Sequence, residues 1–102
     1  PRAATPETVA GKFLRAWLAS QLDPARWHAG LTPYATPALA EKLSAVDPKG
    51  VPAERTTGAP TLVPRGAGSA MVTVPVDSGR VELRLLVLNG RWLVDGVSWS
   101  RG

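Results

Sequence analysis

Two turn signals, Ser78-Gly79 and Asn89-Gly90, set ten apolar side chains on one face of a three-stranded meander. A hairpin closed at Ser78-Gly79 puts Val76, Val74, Val72 and Ala70 opposite Val81, Leu83, Leu85 and Val87. One closed at Asn89-Gly90 puts Val87 opposite Trp92 and Leu85 opposite Val94. The turns agree on the buried side, and a slip of one residue would expose the whole set. Burying each of these side chains contributes roughly 1–3 kcal/mol, a gross gain that offsets chain entropy. The strands are expected over 69–77, 80–89 and 91–100. Pro75 has no N–H for a ladder, so a four-residue loop over Asp77–Arg80 is expected to point that position away from the partner strand. Asp95-Gly96 reads as a bulge that turns Val97 and Trp99 back toward the core.

Ahead of the meander, residues 55–63 read as an edge strand interrupted by Gly58 and Pro60, and Arg65-Gly66-Ala67-Gly68 as a turn. The first half has helical period. Thr5-Pro6-Glu7 combines an N-cap, a proline at the first helical position and an acid in the first turn. Val9, Phe13 and Trp17, beside Ala10, Leu14 and Leu18, form its apolar stripe, and the helix is expected to end near Gln21. Asp23-Pro24 starts a short helix through Trp27 that stops at Gly30. Thr36-Pro37 starts a third, with Leu39, Leu43 and Val46 spaced for burial, ended by Asp47-Pro48-Lys49-Gly50. Helices followed by strands define an α+β domain over 1–102: three N-terminal helices on one face of a curved antiparallel sheet of about four strands.

A chain of 102 residues with 44% hydrophobic and 20% charged side chains is long enough for one core without metal or disulfides. The net charge of +4 is dispersed, since residues 1–50 and 51–102 each carry six basic and four acidic side chains. With no basic run and one Phe and one Tyr as stacking platforms, specific nucleic-acid binding is not expected. The absence of cysteine excludes disulfides, thiolate chemistry and zinc ribbons. No stretch approaches the roughly 20 apolar residues of a membrane span, and no signal peptide is visible. The chain opens at Pro1 rather than Met, as a soluble piece excised from a longer protein would, which leaves an upstream anchor or leader open.

The order of a long amphipathic helix, two shorter ones and a sheet ending in Gly90-Arg91-Trp92-Leu93-Val94-Asp95-Gly96-Val97 resembles the cone-shaped nuclear-transport-factor-2-like superfamily. The segment from Trp27 to Gly58, with Leu31-Thr32-Pro33-Tyr34-Ala35-Thr36-Pro37 and Asp47-Pro48, resembles extracytoplasmic domains of actinobacterial membrane-anchored proteins. Among these are conjugative-transfer proteins similar to the periplasmic assembly subunit of type IV secretion systems. The resemblance implies a cone-like sheet, protein partners and homo-oligomers (dimers or trimers), and an extracytoplasmic location with the membrane reached only through a segment outside this chain. Because the fold hosts both enzymes and structural subunits, it does not decide activity. High Ala, Arg, Gly and Pro with three Lys suits a GC-rich genome.

His28, the sole histidine, has the chemistry of a general base, but it also sits where a polar group suits a helix C-terminus. Asp95 lies on the last strand, where some enzymes of the superfamily carry catalytic groups, yet the hairpin sets it opposite Arg84 as a cross-strand ion pair. Tyr34 is the one phenol. A ketosteroid-isomerase-like site needs a buried acid, which the inner face lacks. Asp23, Asp47 and Asp77 occupy capping or turn positions, and Gly66-Ala67-Gly68 is too short for a phosphate loop. Trp17, Trp92 and Trp99 follow the buried pattern, and Trp27 is expected at the open end of the cone.

On the outer face, the expected pairs Thr73/Arg84, Met71/Leu86 and Leu86/Leu93 leave Met71, Leu86, Leu88 and Leu93 as an apolar end. They are covered either by another segment of the chain or by a partner. The expectation is therefore a non-catalytic assembly or protein-interaction domain without cofactor or metal, its interface built on Met71, Leu86, Leu88 and Leu93. The alternative is a small-molecule-binding or enzymatic member with a pocket at Trp27, Tyr34 and Asp95, and a cytoplasmic location is the alternative compartment.

Overall fold

The computed structural model describes residues 5–101; Pro1, where the chain opens, lies outside them. Each helix begins as its cap chemistry requires. The Thr5 hydroxyl accepts from Thr8 N at 3.2 Å, Pro6 occupies the first turn, and α1 runs over Pro6–Leu18. Its buried stripe is Val9, Ala10, Phe13, Leu14 and Trp17, with Lys12 and Arg15 exposed. The helix stops short of Gln21. The Trp17 carbonyl, which the Gln21 amide would take in a longer helix, accepts instead from the Trp27 indole at 2.9 Å.

Asp23 Oδ1 caps α2 (Pro24–Leu31) by accepting from Arg26 N at 2.8 Å. This helix runs through Gly30 rather than stopping before it. Leu31 is fully buried, and that burial offsets the roughly 1 kcal/mol helix penalty of glycine. A tight helical turn over Thr32–Tyr34 leads to Thr36, whose hydroxyl caps α3 (Pro37–Leu43) at Leu39 N. Because α3 ends at Leu43, Val46 falls beyond its buried stripe and is 41% exposed, against expectation. Pro48 is buried in the turn that follows, where Asp47 Oδ1 accepts from Lys49 N.

The second half is an antiparallel meander in the order β1 (Thr61–Gly66), β2 (Ser69–Val76), β3 (Gly79–Leu88), β4 (Arg91–Arg101). The fold is therefore α+β. Arg65 and Gly66 belong to β1, so the turn after it contracts to Ala67-Gly68. The expected strand over 55–63 is split. Thr56 bridges Val76, and Gly58–Pro60 leaves the ladder before β1 begins. Gly58 passes so close to Pro75 that a Cβ there would lie 2.7 Å from the proline Cγ.

The β2–β3 register differs from expectation by two residues. The turn is Asp77-Ser78, and Val74 faces Val81, Val72 faces Leu83 and Ala70 faces Leu85. No four-residue loop is needed for Pro75. In a two-residue hairpin closed by Val76 and Gly79, the next pair outward, Pro75 and Arg80, exchanges no hydrogen bonds. The Pro75 carbonyl points the other way and accepts from Thr57 N at 2.9 Å.

The second hairpin has the expected register. Asn89 and Gly90 both have positive φ (52° and 76°), as the primed turn demands, and Val87 faces Trp92 and Leu85 faces Val94. The bulge falls at Asp95, after which Arg84 faces Gly96, and Val97 and Trp99 pack against the core. Eight of the ten inner-face residues are buried, Trp92 is half-buried, and Val87 is 36% exposed because its pair lies past the end of β2. All of them but Ala70 and Val87 join the side chains of α1, α2 and α3 in one apolar cluster.

Candidate functional site

The side chains with the most chemistry are committed to holding the fold. His28 Nε2 donates to the Ala40 carbonyl at 2.7 Å, tying α2 to α3. With a carbonyl as partner, Nε2 carries the ring proton, which leaves Nδ1 as the acceptor nitrogen. Asp95 is bound on both oxygens: Oδ1 accepts from the Thr36 hydroxyl at 2.9 Å and Oδ2 pairs with Arg84 Nη2 at 3.1 Å. The expected Arg84–Asp95 pair is thus present, though it runs diagonally across the bulge. The room for it is left by Gly96, where a Cβ would stand 3.2 Å from the guanidinium.

Trp27, Tyr34 and Asp95 do not meet in a common cavity. Trp27 is 1% exposed within the core and does not line an opening, because its indole N–H is aimed inward at Trp17. Tyr34 is half-buried beside α1, and Asp95 is held at the bulge. Thr36 is the one polar or charged residue in the buried class among those described. No buried polar side-chain atom among them lacks a partner, and no three of their His, Asp or Glu side chains cluster as metal ligands would. No described helix is long and apolar enough to cross a membrane.

Asp77 performs more than local turn chemistry. Its Oδ1 accepts from Glu54 N at 3.0 Å, and its own amide donates to the Arg55 carbonyl, so the β2–β3 turn is laced to the segment before β1. The Glu54 amide, with smaller help from Arg55, holds this exposed carboxyl below its ordinary pKa. Alongside, Ser78 Oγ donates to the Pro52 carbonyl and accepts from the Trp99 indole. Neither link was foreseeable, since the partners lie more than twenty residues away in sequence.

On the outer face the shifted register puts Met71 opposite Arg84, not Leu86, and Ser69 opposite Leu86. Leu86 faces Leu93 as expected, and Leu88 faces Arg91. Val63, opposite Met71 on β1, joins the same face. Val63 and Leu88 are each 39% exposed, Met71 and Leu86 are half-buried, and Leu93 is buried.

The surface also carries concavities that periodicity alone could not reveal. A groove of about 500 Å³ lies between α1 and the 54–60 segment, with Leu14, Leu18 and Val74 beneath Arg15, Arg55 and Glu54. A smaller cleft of about 240 Å³ lies between α1 and the β3–β4 turn, where Val9, Lys12, Tyr34, Arg91 and Trp92 converge. Comparison with protein-family models, with curated proteins and with solved structures found no match to this chain.

Proposed function

We propose that this chain is a non-catalytic assembly domain whose outer sheet face binds a second copy of itself. The observation that carries the reading is the outer-face patch of Val63, Met71, Leu86, Leu88 and Leu93, drawn from all four strands and exposed at Val63 and Leu88. Covering such a patch removes apolar area from water at roughly 25 cal/mol per Å². A sheet face also offers the self-complementary surface that a two-fold dimer needs. The commitment of both Asp95 oxygens to structural bonds supports the non-catalytic reading.

The finer fold reading is a cone-like sheet with the three helices on its inner face, in the manner of the nuclear-transport-factor-2-like superfamily. Its support is the element order and the shared apolar cluster. An extracytoplasmic role in a membrane-anchored conjugation or secretion protein rests on the sequence resemblance. The test is sedimentation of the whole chain and of a Leu86→Glu, Leu88→Glu variant. The reading expects a dimer or trimer that becomes a monomer in the variant; an unchanged mass in the variant overturns it.

The 500 Å³ groove favours a second reading, small-ligand binding, at a place other than Trp27, Tyr34 and Asp95. Its size and its polar rim over an apolar floor suit an amphiphilic carboxylate. Titration with octanoate tests it: amide shifts at Gly11, Leu18 and Thr56 support the reading, and their absence removes it.

A further inference from the structure

Lys12 and Arg15 stand three residues apart on the exposed side of α1, with no acid three or four residues from either. Such a like-charge pair works against its own helix. Neither cation, nor Arg91, has a carboxylate within 4.0 Å among the described residues. These three charges surround two adjoining concavities that share Lys12 and Tyr34. One, of about 240 Å³, adds Val9, Pro33, Arg91 and Trp92; the other, of about 320 Å³, adds Arg15, Ala16 and Gly30. Neither lining contains an acidic residue.

We infer that this two-lobed cleft binds an acidic protein segment with the pattern acid–apolar–acid. One carboxylate pairs with Arg91, and the apolar side chain enters the lobe between Val9, Pro33 and Trp92. The second carboxylate reaches Lys12 and Arg15 past the Tyr34 ring, relieving the repulsion between them. Charge complementarity selects the occupant: the cleft offers cations around an apolar floor and asks for anions around an apolar anchor. A nucleic-acid strand fits less well, because it brings a charge at every nucleotide and no aliphatic anchor. The site shares only Leu93 with the outer-face patch, so the two surfaces are separable by variants.

The experiment is a titration of the whole ¹⁵N-labelled chain with an amide-capped heptapeptide carrying glutamates on both sides of a central leucine. The expected result is saturable shifts at Tyr34, Gly90 and Arg91 and at the Trp92 indole. Binding should weaken about tenfold in a Lys12→Glu, Arg91→Glu variant and fall with added salt. A Lys42→Glu, Lys49→Glu variant carries the same net charge with both exposed changes outside these two lobes, and it should bind as the parent does. Equal weakening in both variants would reduce the effect to net charge and overturn the inference. Oligothymidylate binding to the same residues more tightly than the peptide would overturn it as well, as would no saturable shift with the peptide.

Discussion

The Thr36 hydroxyl donates to Asp95 Oδ1 across 2.9 Å while accepting from the Leu39 amide, so one buried side chain both caps α3 and fastens it to the bulge of β4. The Thr36 amide adds a bond to the Val94 carbonyl at 2.8 Å. Asp95→Ala should cost about 1–3 kcal/mol, because a buried hydroxyl loses its acceptor. Arg84→Ala removes an ion pair whose arginine is 58% exposed and should cost under about 1 kcal/mol. Urea unfolding of the two variants checks the order.

Trp27→Phe keeps most of the buried volume but leaves the Trp17 carbonyl without its indole donor. A loss of about 1–3 kcal/mol is expected, seen as a lower urea midpoint with little change in slope. If α1 instead extends to recapture the Gln21 amide, the loss is smaller and helix content rises.

The depressed pKa of Asp77 gives stability a defined pH dependence. A carboxyl whose folded pKa lies below its unfolded value contributes stability above that unfolded value, near about 4. The contribution drains away as pH falls through the folded pKa. Asp77→Asn should therefore lower the melting temperature at neutral pH and close part of the gap as pH drops below 4. Parallel melting curves at neutral and acid pH check this.

Lys12→Glu replaces a like-charge pair with an attractive i, i+3 pair toward Arg15. It should raise stability by about 0.2–0.5 kcal/mol at low salt while weakening capture of the acidic peptide. Stability and binding moving in opposite directions would mark Lys12 as a residue kept for its ligand.

The face of each meander residue was legible in the sequence because strand side chains alternate with period two. The register of β2 on β3 was not: moving Val74 from Leu83 to Val81 leaves every side chain on its original face, so the apolar pattern cannot detect it. Helix starts at Thr5, Asp23 and Thr36 were legible from local cap chemistry. Helix ends were not, since α1 ends where Trp27, ten residues on, takes the Trp17 carbonyl. Of the candidate site, the Arg84–Asp95 pair could be read across one hairpin. Thr36, 59 residues from Asp95, could not, and neither could a cleft joining α1 to the β3–β4 turn.

The outer sheet face is the proposed interface between copies of this chain. Methyl NMR at increasing protein concentration tests this directly, reading Leu88 and Met71 against Leu22 and Val46, two exposed apolar residues outside the sheet. Self-association through the face predicts concentration-dependent shifts at Leu88 and Met71 with Leu22 and Val46 unmoved. Static Leu88 and Met71 signals, or equal movement at all four, would contradict it.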